Sequence, residues 1–236
     1  MENGMTRRTV VRTAAVLGAM AATGAVTGSS VALAADTAAG NNEKQKHSQK
    51  PRPTTANGWP VQINVDRGSQ VWTRSVAGTG LSVPVWIGDP EAILLHVVRR
   101  YHYEVTGIRT GELAGWQQIE TLDVKAPESN LASGTAVRIR PGAATKGSLF
   151  PLQEIVVRDI LADCEGVVRW GGDDSLVDES LFYLDRGPAD PQVRELADNV
   201  RRDEATPGQG AGKTVNVMAH SRRERANRLA GVQGKR

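Results

Sequence analysis

A single cysteine, Cys164, occurs among 236 residues. No intramolecular disulfide can form, so stability must come from a hydrophobic core even in an oxidising compartment. Aromatic side chains make up only 4% of the chain, against an otherwise ordinary 39% apolar and 23% charged residues. That composition excludes a coiled coil, a collagen or a porin. Long apolar runs are missing as well, save one from Thr13 to Ala34 that is rich in small residues rather than Leu and Ile. No mature transmembrane helix is expected. At this length one domain fits comfortably.

A strong excess of either charge is also lacking. The formal charge of +3 divides unevenly: residues 35–200 carry 17 basic and 22 acidic side chains, and residues 201–236 carry 9 basic and 3 acidic. The central body is acidic. A nucleic-acid reading would rest on the terminal segment rather than on a folded basic face, and it is set aside.

What is present begins with a targeting signal. Thr6-Arg7-Arg8-Thr9-Val10-Val11-Arg12 sets paired arginines before the apolar stretch, and Ala32-Leu33-Ala34 ends it with small residues at the two positions a signal peptidase reads. Residues 1–34 thus read as a twin-arginine secretory signal cleaved after Ala34, and the protein as secreted or cell-wall associated. Residues 35–56 are Gly, Asn, Lys, Gln, Ser, Thr and Pro with scarcely an apolar side chain, and read as a disordered linker that includes His47. Residues 203–236 read as a disordered basic tail in which only Arg222 to Leu229 has the makings of a turn or two of basic helix. Within it, Gly208 to Thr214 ends like a phosphate-binding loop. Pro207 stands where its first glycine is required and no apolar strand precedes it, so no nucleotide site is assigned.

The folded body is expected over 57–202. Strands are read at Val61–Val65, Gln70–Val76 and Leu81–Ile87, with Ala77-Gly78-Thr79-Gly80 as a hairpin connection and Pro84 pointing to an edge or a bulge. Asp89-Pro90-Glu91 opens a helix through Ala92–Val98. His96 and His102, on this helix or at its exit, read as packing residues. The chain then reads as irregular from Trp116 to Pro141. A second helix is expected from Pro151 to Asp163, with Leu152, Ile155, Val156 and Ile160 on one face and Gly166 suited to its cap. Cys164 closes that helix and reads as a buried structural thiol, because no histidine lies nearby in sequence. Short strands follow at Val167–Trp170 and Leu181–Leu184, then a helix capped by Asp190-Pro191. Helices and short strands without a regular βαβ rhythm favour α+β, a small antiparallel sheet packed with helices.

Three segments of the body resemble the zinc D-alanyl-D-alanine carboxypeptidases, the group that includes the vancomycin-resistance D,D-peptidases and certain phage endolysins. Ser129-Asn130-Leu131-Ala132-Ser133-Gly134-Thr135-Ala136-Val137-Arg138 is similar to the pattern S-x-H-x-x-G-x-A-x-D. Val167-Val168-Arg169-Trp170-Gly171-Gly172-Asp173 resembles the strand and turn before the last ligand. Asp178-Glu179-Ser180-Leu181-Phe182-Tyr183-Leu184 stands against an acid-x-x-H-x-E arrangement. The resemblance implies a D,D-carboxypeptidase fold of the hedgehog/DD-peptidase type.

The resemblance also implies a lost metal. Zinc needs imidazole nitrogen or anionic oxygen at about 2 Å and an open position for water. Leu131 and Leu181 occupy the histidine positions and Arg138 the carboxylate position, so neither metal, cofactor nor catalytic residue is assigned. Ser129, Arg138 and Asp178 are candidate groove residues. Asp178, at the position of the general base, is expected either to pair with Arg138 or to lie exposed on the loop from Gly171 to Glu179. Three functions follow. The first is a secreted, catalytically inactive protein that binds peptidoglycan stem peptides, Arg138 holding a carboxylate by two parallel hydrogen bonds. The second is an active enzyme with a metal held by some of His96, His102, Asp173, Asp174 and Asp178. The third is a structural protein whose groove is closed by Leu131 packing on Leu181. Oligomeric state is not legible.

Overall fold

The computed structural model describes residues 53–118, 120 and 123–234. The expected export signal and the expected linker up to residue 52 lie outside the described residues. The end of that linker belongs to the body instead: Thr55 is buried, and its hydroxyl lies within hydrogen-bond distance of the Asn57 side-chain oxygen, the Trp59 carbonyl and the Ser133 hydroxyl.

The architecture is α+β. Strands β1 (Val71–Val76) and β2 (Leu81–Trp86) form an antiparallel hairpin of their own. The turn between them is held by the Tyr103 hydroxyl, which donates to the Gly78 carbonyl at 2.8 Å. Pro84 pairs with Thr73 in this ladder, and its carbonyl accepts from the Trp116 amide outside it. This is where a residue without an N–H can sit in a strand. Helix α1 (Asp89–Arg100) follows with Pro90 in its first turn and its side chains Ile93, Leu94, Val97 and Val98 fully buried. The helix begins one residue earlier than an Asp89 cap would give, because the Glu91 carboxylate reaches back to the Gly88 amide.

A second, four-stranded antiparallel sheet has the order β3-β4-β6-β5, from β3 (Leu113–Ala114), β4 (Ala136–Ile139), β5 (Val168–Trp170) and β6 (Leu181–Leu184). The stretch read as irregular therefore contains β4, and before it the short helix α2 (Asn130–Ser133). The cause is length: four-residue elements buried on both sides leave no periodic signal. The strand read at Val61–Val65 does not form. Its alternation has no partner strand, and the segment is tied by separate bonds such as Gln62 N–H to the Ala132 carbonyl.

Period-two alternation divides the second sheet into two faces. Val137, Ile139, Val168, Trp170, Phe182 and Leu184 point into the main core, which α1 and α3 (Pro151–Asp163) help to fill. Each such fully buried aliphatic or aromatic side chain contributes about 1.5–3 kcal/mol of transfer free energy. Ala136, Arg138, Arg169, Leu181 and Tyr183 lie on the other face. Helix α4 (Pro191–Ala205) is capped by the Asp190 carboxylate, which accepts from Gln192 N–H, and buries Val193, Leu196, Ala197 and Val200.

The expected disordered tail is corrected by helix α5 (His220–Gln233), which packs on α3. Its apolar stripe is thin, and charge fixes it. Arg222 donates to Asp159 at 2.7 Å and to Asp163 at 2.6 Å, and Arg225 also pairs with Asp163. Arg100 of α1 meets the same two carboxylates, so the buried Asp159 is shared by guanidinia from two helices. Among the described residues no helix is long and apolar enough to cross a membrane.

Candidate functional site

The site is built on the second face of the four-stranded sheet. In register, Arg138 of β4 stands opposite Leu181 of β6, and Ala136 stands opposite Tyr183, which in turn faces Arg169 of β5. Helix α2 closes over this face because Gly134 turns the chain back at a φ of 74°. A Cβ there would lie 2.6 Å from Val71 and 2.9 Å from the Trp86 amide, so only glycine fits. Leu131 is delivered by this turn onto the sheet.

The three positions that the resemblance assigns to zinc ligands do come together. Leu131, Ala136, Leu181 and Tyr183 form one buried apolar cluster, separate from the main core, with both leucines 1% exposed. Arg138 lies at its edge. The pairing with Asp178 is present, Nη2 to Oδ2 at 3.0 Å, and a second carboxylate, Glu128, takes the same nitrogen at 3.0 Å. Asp178 is fixed in turn by the Ser180 amide and hydroxyl, both donating to Oδ1. The loop back to it is tight: a Cβ on Gly171 would meet the Asp178 carbonyl at 2.5 Å.

These residues do not fit zinc. Leucine offers no lone pair, and a guanidinium repels a dication. Arg138 is already engaged by two carboxylates within the fold, rather than standing as an open carboxylate clamp. Ser129 is buried and serves the scaffold: its Oγ accepts from the Ala56 amide at 2.8 Å and donates to the Val124 carbonyl. The alternative metal constellation is dispersed among other partners. His102 Nδ1 accepts from the Ile108 amide, His96 lies near Glu204, and Asp173 takes both terminal nitrogens of Arg158. Among the described residues no group of three or more His, Cys, Asp or Glu side chains is placed to hold a metal ion. Cys164 is buried, and desolvation pushes its thiol up to about 12, far from a reactive thiolate.

At the other end of the same face lies a constellation that the sequence reading missed. Arg169 donates its Nε–H to Asp174 at 3.0 Å, and the Tyr183 hydroxyl donates to the same carboxylate at 2.9 Å. Burial raises the Asp174 carboxyl above the usual carboxylate range against these two partners, and burial beside Asp174 raises the Tyr183 phenol. A polar cleft of about 450 Å³ opens here, with Asn57, Lys125, Asn130, Arg169, Asp174 and Tyr183 in its wall. One signal was available: Arg169 is a charged residue inside a run of apolar ones, Val167-Val168-Arg169-Trp170, and a buried charge needs a partner.

Comparison of the chain with protein-family models, with curated proteins and with solved structures finds no match.

Proposed function

We propose that this is an exported, catalytically inactive protein on a D,D-carboxypeptidase-like scaffold of the hedgehog/DD-peptidase type, which binds peptidoglycan peptides rather than cleaving them. The observation that carries the reading is the convergence of Leu131, Arg138 and Leu181 on one sheet face, where the resemblance has two histidines and a carboxylate. With hydrocarbon and a guanidinium in those places, water has no Lewis acid to lower its pKa, and Asp178 is spent on Arg138 instead of serving as a base.

The test is metal content and turnover of the secreted protein and of the triple variant Leu131→His, Arg138→Asp, Leu181→His. The wild type should purify without stoichiometric zinc and release no D-alanine from an acylated D-alanyl-D-alanine peptide, and the triple variant should gain one zinc per chain. Stoichiometric zinc in the wild type, or release of D-alanine by it, overturns the proposal.

A second reading, a structural protein with a closed groove, is favoured by the burial of Leu131 against Leu181 and by the two carboxylates already on Arg138. It predicts no saturable binding of such peptides.

A further inference from the structure

We infer that the polar cleft beside the closed metal position is a carboxylate-binding site, and that it takes the C-terminal carboxylate of a short peptide on Arg169, Asn130 and Lys125. The inference rests on the proposed binding role and moves the anchor from Arg138 to the opposite end of the same sheet face. Asn130 is fully buried yet lines the cleft, and its orientation is fixed because Oδ1 accepts from the Asn57 amide at 3.2 Å. Its Nδ2 has no acceptor among the described residues. A buried donor without a partner is costly; Nδ2 is itself sealed from solvent, so it meets a ligand oxygen when the wall shifts on binding, and that contact repays the deficit.

The rest of the wall is rich in donors in the same sense. Arg169 commits Nε to Asp174, which leaves the fork of its two terminal nitrogens without a hydrogen bond to any described residue. The Lys125 ammonium at the rim has no ion-pair partner there either. The acceptors of the cleft are occupied: Asp174 by Arg169 and Tyr183, Asp173 by Arg158, and Asp185 is itself engaged. Free donors facing satisfied acceptors select an oxyanion, and the planar fork of a guanidinium matches two coplanar oxygens of a carboxylate. The cleft volume suits a ligand of dipeptide size.

Calorimetric titration of the full chain with N-acetylalanylalanine tests this, using the D,D and L,L forms as free acids and as C-terminal amides. Saturable binding of an acid, with at least tenfold weaker binding of its amide, is expected. Asn130→Asp, which keeps the Asn57 contact and replaces the free donor by an oxygen, is expected to weaken the acid at least tenfold. Lys125→Met, at an exposed position that folding does not need, is expected to weaken it about threefold. Absence of saturable binding by both acids, equal binding of acid and amide, or wild-type affinity in both variants overturns the site. Equal affinity for the D,D and L,L acids supports the carboxylate site and removes the support for a wall-peptide ligand, so the two proposals fail separately.

Discussion

Arg138 and Asp178 meet at 3.0 Å across the edge of a buried apolar cluster, with the guanidinium 23% and the carboxylate 14% exposed. The pair is neither a freely solvated surface contact nor a fully buried one. Removing Asp178 leaves Arg138 with the exposed Glu128 alone, and a charged hydrogen bond in so half-dry a setting contributes about 1–3 kcal/mol. Asp178→Ala should therefore destabilise the chain by that amount in urea denaturation, and Arg138→Met in the Asp178→Ala background should add much less than it does alone. Strict additivity of the two would show that the contact contributes nothing.

The leucines beside that pair carry a different expectation. Leu181 is 1% exposed and packs with Leu131, Ala136 and Tyr183 in a cluster too small to collapse around a void. Leu181→Ala should cost about 2–5 kcal/mol, as deletions of buried leucine side chains do. A cost below about 1 kcal/mol in thermal or urea unfolding would mean that the cluster is open to solvent.

Much of this arrangement is legible in the residues, and the part that is not has a physical reason. Helix α3 is read with its bounds because Pro151 sets its first turn and apolar residues recur at helical spacing, but the face expected on Leu152, Ile155, Val156 and Ile160 is turned: Val157, Ile160 and Leu161 are buried and Leu152 is exposed. Leu131, Arg138 and Leu181 are placed together by the resemblance, and the strand register brings two of them face to face. The donor cleft draws on Asn57, Lys125, Asn130, Arg169 and Tyr183, from four separate stretches of chain, so no spacing announces it. Strand alternation alone overreached at Val61–Val65, since a strand exists only where another strand accepts its ladder.

Asp174 gives the chain a pH dependence of definite sign. Burial raises its folded-state pKa above that of the unfolded chain, against the opposing bonds from Tyr183 and Arg169. In the window just above the ordinary carboxylate value the folded state then binds the extra proton, so stability from this group grows as pH falls through that window and is lost as pH rises. Urea midpoints of the wild type and Asp174→Asn across that range isolate the effect, because the other carboxylates are common to both. The difference should shift toward the wild type on acidification. A shift in the other direction would mean that the Arg169 pairing outweighs desolvation.

The thiol offers a simple probe of the core. Cys164 is 1% exposed and its ionisation is pushed up to about 12 by burial. The folded protein should leave an aromatic disulfide reagent unreacted at neutral pH over hours, and urea should release one thiol per chain. Prompt reaction in native buffer would place the thiol near the surface and contradict the packing of α3 against β5.

Helix α5 shows how a segment with little apolar patterning is nevertheless held. Asp159 on α3 is 1% exposed and is shared between Arg100, itself 4% exposed, and Arg222. Two carboxylates, Asp159 and Asp163, thus face guanidinia from α1 and α5; burial opposes the charge of Arg100, which Glu104 favours most and Asp163 and Asp159 favour further, while the charge of Arg222 is favoured by Asp159 and Asp163. Removing Arg222 leaves Asp159 with Arg100 alone, so the cost should fall below the roughly 3–5 kcal/mol of an orphaned buried charge; about 1–3 kcal/mol is expected. The change is local. In hydrogen exchange, Arg222→Ala should lower the protection of amides in His220–Gln233 while those of α1 and the four-stranded sheet keep theirs. Loss of protection throughout the fold would show instead that α5 unfolds only with the whole domain, and unchanged protection in α5 would show that Ala226, Leu229 and Gln233 suffice to hold it.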